Sequence, residues 1–295
     1  MKSSPSSRRQ FLKSGAAGAA ALGLTPLGLT PLGSSQELLR GTQQVPASVA
    51  QIKLGVASYS LRKFNRKETI KMTNELGVDY INIKSFHLRH EDSPKQLKAG
   101  RKEIEDAGLQ IVGGGTITMR EDTDEAIRPN FEYAKMCGMP LMVIAPTPEV
   151  MPRIEKFVKE YDIKVAVHNH GPEDKYFPAP SDVLAVIDGM DARVGCCVDV
   201  GHTVRTGVDI VEAIAEAGDR VLDMHMKDLS DLMVKESQVA VGEGNMPVAR
   251  IFKQLLYMDY QGYVNLEYEI FADNPLPGMK QSFAYMRGVM AGMGL

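Results

Sequence analysis

Residues 163–171 read IKVAVHNHG. An apolar run rich in β-branched side chains stops at His168, Asn169 and His170, and Gly171 closes it. The first half suits a strand buried on both faces, which reads as a continuous apolar run. Side chains alternate along a strand, so His168 and His170 share one face. The chain has six histidines in 295 residues, so two within three positions suggest a shared task.

Seven more runs of this kind surround it. They are IKLGVAS from Ile52, YINIKSF from Tyr80, LQIVGGG from Leu109, PLMVIAP from Pro140, RVGCCVDV from Arg193, RVLDMHM from Arg220 and GYVNLEYE from Gly262. They recur every 22 to 42 residues or so, with helix-period segments between them. Val150, Ile154, Phe157, Val158 and Tyr161 follow the helical apolar spacing, as do Val248, Ile251, Phe252, Leu255 and Leu256. Pro129 is expected to sit in the first turn of its helix, where the missing N–H is harmless. Gly77, Gly108, Gly138 and Gly218 stand where left-handed helix stops are expected. Eight β/α units in the last 245 residues or so match the rhythm of a (β/α)8 TIM barrel. The rival is an open doubly wound sheet. Its usual glycine-rich phosphate loop is missing, because the first strand leads into SYSLRKF. The fold expected is therefore α/β, a single barrel over residues 46–295. Asp228 to Met246 forms a longer connection, read as a loop or short hairpin over the barrel mouth.

The first 45 residues read differently. Ser7-Arg8-Arg9-Gln10-Phe11-Leu12-Lys13 precedes a weakly apolar stretch rich in Ala and Gly. That is the pattern of a twin-arginine signal, whose pathway exports folded proteins. No uninterrupted apolar run is long enough for a clear membrane span. The formal charge is −3; residues 1–50 contribute +4 (Lys2, Arg8, Arg9, Lys13 and Arg40 against Glu37), which leaves −7 for the rest. A negative domain is a poor partner for nucleic acid or anionic lipid. Cys137, Cys196 and Cys197 are odd in number and two are adjacent, so no disulfide framework is expected, only buried thiols.

Barrel sites lie at the C-terminal ends of the strands. Lys84, His87 and His90 follow strand two. His168, Asn169, His170 and Glu173 follow strand five, and Asp199 and His202 follow strand six. His225, Lys227 and Asp228 follow strand seven, and Glu267 and Glu269 follow strand eight. Every histidine of the chain is in this set. By alternation, His168, Asp199, His225 and Glu267 can point inward at one height, as two imidazoles and two carboxylates around a divalent metal. Mixed nitrogen and oxygen donors suit manganese, zinc, iron or cobalt better than magnesium. Substrate contacts are expected from Lys84, His87, His170, His202, Arg205, Asp228 and Glu243. Each has a plainer reading: hydrogen-bonded structure for His87 and His90, a helix cap for Asp199, a turn for Gly242-Glu243-Gly244, an exposed side chain for Arg205.

Together, Asp199-x-x-His202, His225-Met-Lys-Asp228, Gly242-Glu243-Gly244 and Leu266-Glu267 resemble the xylose-isomerase-like barrel superfamily, the sugar phosphate isomerase/epimerase group. The resemblance runs from about Gln51 to the end. It implies one divalent ion held at the ends of strands five to eight. Asp199, His225 and Glu267 match ligand positions of that pattern. The strand-five position is commonly Glu, and here it is His168. Some members carry HNH there and a later Glu, which Glu173 matches. The resemblance also implies a facing acid/base pair beside a ketone. Glu267 is the expected base, and His168 or Glu173 the expected partner. The activity expected is metal-dependent isomerisation or epimerisation of a sugar through an enediolate. The alternatives are a lyase or hydratase on an oxidised sugar and a non-catalytic periplasmic sugar-binding protein. A small carbohydrate is the expected partner; a homo-oligomer is compatible with the sequence.

Overall fold

The computed structural model describes residues 52–295. The signal segment expected over residues 1–45 lies outside the described residues. From the N-terminus the elements are β1 (Lys53–Ala57), α1 (Arg66–Glu75), β2 (Tyr80–Ile83), α2 (Pro94–Asp106), β3 (Gln110–Met119), α3 (Asp124–Cys137) and β4 (Leu141–Pro146). Then come α4 (Met151–Tyr161), β5 (Lys164–His168), α5 (Pro180–Ile187), β6 (Val194–Asp199), α6 (Val200–Val204), α7 (Ile210–Ala217) and β7 (Val221–Met226). The chain ends with β8 (Asp228–Leu229), β9 (Gln238–Val239), α8 (Val248–Tyr257), β10 (Tyr263–Leu266) and α9 (Leu276–Gly292).

Eight parallel strands close into a barrel in the order β1-β10-β7-β6-β5-β4-β3-β2. All eight strand-like runs of the sequence are in it. β8 and β9 form the antiparallel hairpin expected in the long connection.

Alternation sorts each strand into two faces. Val165 and Val167, Cys196 and Val198, Met224 and Met226, Val264 and Leu266 belong to the large apolar core that includes the helices. The intervening residues point into the barrel. Its lower interior holds a small apolar cluster of Leu141, Val143, Ala166 and Cys197, beside a polar group. There Asn82 Nδ2 donates to Asp223 Oδ2 at 2.8 Å and Asn265 Nδ2 donates to Asp223 Oδ1 at 2.7 Å. Burial pushes the Asp223 carboxyl up to about 6. One step toward the C-terminal mouth the same faces present His168, Asp199, His225 and Glu267.

Local signals fix the helix starts. Asn65 and Glu68 form a reciprocal capping box on α1, and Ser93 and Gln96 form one on α2. One expectation is corrected. α3 starts five residues before Pro129, because Thr123 accepts the Ala126 N–H and Asp124 and Glu125 fill the first turn. Pro129 lies on the exposed side of that helix, where water can take the carbonyl it frees.

Candidate metal centre and pocket

β5, β6, β7 and β10 are neighbours in the barrel, so their C-terminal ends form one arc. Register pairs Asp199 with His225 directly. His168, Asp199, His225 and Glu267 each bring one ligand atom within 4.8 Å of the others, and all four are buried. His168 Nε2 is 2.9 Å from His225 Nδ1 and 3.7 Å from Asp199 Oδ2. His225 Nδ1 is 3.2 Å from Glu267 Oε2. Ligand atoms about 2.0–2.3 Å from one ion stand some 3–4.5 Å apart, so this spacing fits a shared cation.

The donor chemistry fits as well. A single proton can satisfy the facing nitrogens of His168 and His225, but their outer nitrogens, His168 Nδ1 and His225 Nε2, are buried without a partner. Asp199 Oδ2 accepts no aligned hydrogen bond, although the Lys227 ammonium meets it as an ion pair at 2.9 Å. Burial, and then the charges of neighbouring imidazoles, hold His168 well below the usual histidine range. It is therefore a neutral lone-pair donor. Burial works against ionising Glu267, but His225, Lys227 and Lys84 overcome it and hold the carboxyl well below its usual range. Asp199 is held low in the same way, burial opposing and Lys227 and His202 prevailing. Two carboxylates ionised in a buried site require a positive charge beside them.

A cavity of about 370 Å³ opens onto this arc. His168, His170, His202, Glu267, Glu269 and Lys84 line its polar side; Tyr59, Phe86, Ile117 and Tyr133 line the other. Lys84 Nζ lies 3.6 Å from Glu267 Oε1. Of the residues expected to contact substrate, Lys84, His170 and His202 thus face the cavity. Arg205 lines an adjoining cavity with His202 and Lys227.

The others are corrected. Glu173 does not line the cavity; it is paired with Arg205, which also meets His202 Nδ1 at 3.0 Å. His87 is structural: Nδ1 lies 3.0 Å from Ser58 Oγ and Nε2 lies 3.2 Å from the Leu61 carbonyl. Asp228 turns away from the cavity and accepts the N–H groups of Gly242, Gly244 and Met246 at 2.9, 3.1 and 2.8 Å. Gly242-Glu243-Gly244 is therefore a turn wrapped on a carboxylate. A Cβ at Gly244 would sit 2.3 Å from Asp228 Oδ1. Glu243 itself is exposed and bonded to Gln281.

Some pocket residues had weak sequence signals. His90 lines the cavity, stacked 4.0 Å from Tyr133; its place just past β2 was the clue. Tyr59, Phe86 and Thr116 stand similarly close to strand ends, whereas Tyr133 reaches in from mid-α3. Lys227, placed at the end of strand seven but given no role by the sequence, continues the face of His225, and its ammonium lies 2.9 Å from Asp199, 3.1 Å from Glu267 and 2.6 Å from Glu269. Burial disfavours that charge, but Asp199, Glu267 and Glu269 raise the group well above the usual lysine range.

A closed parallel barrel with inward imidazoles and carboxylates at its C-terminal mouth defines a class of (β/α)8 proteins. Residues 70–289 match the sequence profile of the Xylose isomerase-like TIM barrel, and the chain belongs to that family. Residues 5–25 match the TAT (twin-arginine translocation) pathway signal sequence, so the chain carries a signal for twin-arginine export. No helix among the described residues is long and apolar enough to cross a membrane. No curated protein matches the chain. Its fold is similar to that of solved structures. The probable 3-DHS dehydratase AsbF from Bacillus anthracis is 13% identical, with a TM-score of 0.67 over 80% of this chain and 99% of that one. The 3-keto-D-glucoside 4-epimerase YcjR from E. coli is 17% identical, with a TM-score of 0.66 over 81% and 100%. The IOLI protein with a binding zinc atom is 16% identical, with a TM-score of 0.66 over 80% and 98%.

Proposed function

We propose that the protein is a divalent-metal-dependent isomerase or epimerase that removes a proton beside the carbonyl of a sugar or sugar derivative and returns one. The observation that carries this reading is the convergence of His168, Asp199, His225 and Glu267 on a cavity large enough for a sugar. Those four residues would hold the ion. Their mixed nitrogen and oxygen set favours zinc, manganese, iron or cobalt over magnesium. When bound, the ion supplies Lewis acidity at the carbonyl and the adjacent hydroxyl.

The remaining work falls to the chain. Glu267, ionised at neutral pH, takes the proton from carbon. Lys84 donates to a substrate oxygen beside Glu267. With Glu173 bound to Arg205 and His168 committed as a neutral ligand of the ion, returning the proton falls to the neighbouring cavity imidazole, His170. Folded export supports a periplasmic site of action and a free or glycosidic sugar. The names of the structural relatives, an epimerase among them, are compatible with this chemistry.

The test is solvent exchange. The metal-loaded protein is incubated in D2O with a panel of ketoses and keto-glycosides. Deuterium should enter at the carbon beside the carbonyl, stop on chelation and resume when metal is restored. A fully loaded protein that never exchanges that position across the panel removes the reading. A pure sugar-binding role predicts ligand binding that survives chelation.

A specific observation favours a second reading. The carboxylates lining the cavity, Glu267 and Glu269, both follow β10, and imidazoles supply the β5 side. A lyase or hydratase needs that arrangement: one base, and an imidazole to protonate a leaving oxygen. Release of water or alcohol from the substrate distinguishes it.

A further inference from the structure

The Lys227 ammonium meets Asp199 Oδ2 at 2.9 Å and Glu267 Oε2 at 3.1 Å. Those carboxylates belong to two of the four residues that converge as a ligand set. The lysine is built into this place. Its side chain is 4% exposed, and its stem crosses Gly201, where a Cβ would come within 2.7 Å of Lys227 Cδ and 2.8 Å of Cγ. Its third partner, Glu269 at 2.6 Å, is not in the ligand set and is 38% exposed.

We infer that Lys227 is the resident counter-cation of the centre, and that a divalent ion binds in competition with it. The inference rests on the metal reading above. Asp199, Glu267 and Glu269 carry three negative charges, and Lys227 and Lys84 return two positive ones. Without an ion, Lys227 neutralises Asp199, which would otherwise be a buried carboxylate with no ammonium beside it, and shares Glu267 with Lys84; an unpaired buried carboxylate is a costly state. When an ion takes Asp199 and Glu267, the ammonium is left to Glu269 and stands close to a second positive charge. Like charges a few ångströms apart in a partly desolvated site repel by well over the energy of a tenfold change in affinity. Lys227 therefore weakens metal binding and makes the ion exchangeable, while Glu269 gives the displaced ammonium somewhere to go.

The test reads metal affinity rather than turnover. Zinc and manganese are titrated into metal-stripped wild type, Lys227→Met and Glu269→Gln, in competition with a chromophoric chelator. Lys227→Met should bind both ions at least ~10-fold more tightly than wild type and should melt lower when stripped. Glu269→Gln should bind them several-fold more weakly, because the ammonium then stays on the ligand carboxylates. Equal or weaker binding by Lys227→Met overturns the inference while leaving the metal centre in place. If stripped Lys227→Met does not fold, Glu269→Gln decides alone, and unchanged or tighter binding overturns the inference. If neither wild type nor either variant binds an ion, the metal reading falls and the inference falls with it.

Discussion

At the scale of single residues, the candidate site turns on what stands at the end of β5. The resemblance commonly places a carboxylate there, with HNH in some members, and here His168 takes the place. The change removes one negative charge from the ligand set and adds a neutral nitrogen donor. It also leaves Glu267 and Glu269, both after β10, as the carboxylates that line the cavity. Below this layer lies Cys197, with Cys196 and Cys137 elsewhere in the core, all three buried. Burial pushes Cys137 and Cys196 up to about 12 and raises Cys197 well above the ordinary thiol range. At pH 8 a thiol of that kind is ionised in roughly one molecule in ten thousand. The folded protein should therefore give almost no reaction with Ellman's reagent at pH 8, and three equivalents once unfolded. Fast labelling of the native state would show the core to be looser than this packing.

At the scale of elements, the connection after β7 depends on one side chain. Asp228 gathers the N–H groups of Gly242, Gly244 and Met246, and Gln238 ties β9 to the chain beyond β10 through the Glu267 carbonyl and the Glu269 N–H. The Asp228→Ala variant strips four backbone donors of their acceptor, the N–H groups of Leu229, Gly242, Gly244 and Met246. At about 1 kcal/mol for each hydrogen bond, it should lose about 4 kcal/mol of stability. Amide exchange over 242–246 should speed up far more than exchange in the barrel strands. Uniform loss of protection across the barrel would instead mean that the clamp is part of the global folding unit. The same element shows how one motif can carry two readings. Gly242-Glu243-Gly244 admitted two readings, a turn and a substrate contact at Glu243; the turn holds, and the bare Gly244 makes room for a carboxylate of the chain itself, that of Asp228. Pro129 carries a similar lesson. A proline usually marks a helix start, yet the Thr123 cap and two acids had already begun α3.

At the scale of the whole molecule, the barrel occupies the described residues 52–295 and the export signal matches residues 5–25. Replacing Arg8 and Arg9 by Lys should leave folded protein on the cytoplasmic side of the membrane. Export of the doubly substituted protein at the wild-type level would show that the arginine pair is not its export signal.

The eight strands, the glycine stops and the export signal could be read from order alone, because each rests on local periodicity and short-range sterics. So could the four candidate ligands, since alternation within a strand fixes which side chains face inward. Partnership across strands was decided only in three dimensions. Glu173 went to Arg205, Asp228 to the backbone of its own loop and His87 to Ser58, while His90 and Tyr133 entered the cavity and Lys227 settled among the carboxylates. Spacing along a chain determines which face a side chain occupies. Which neighbour it meets there depends on closure of the barrel and on the competition of every nearby donor for the same few acceptors.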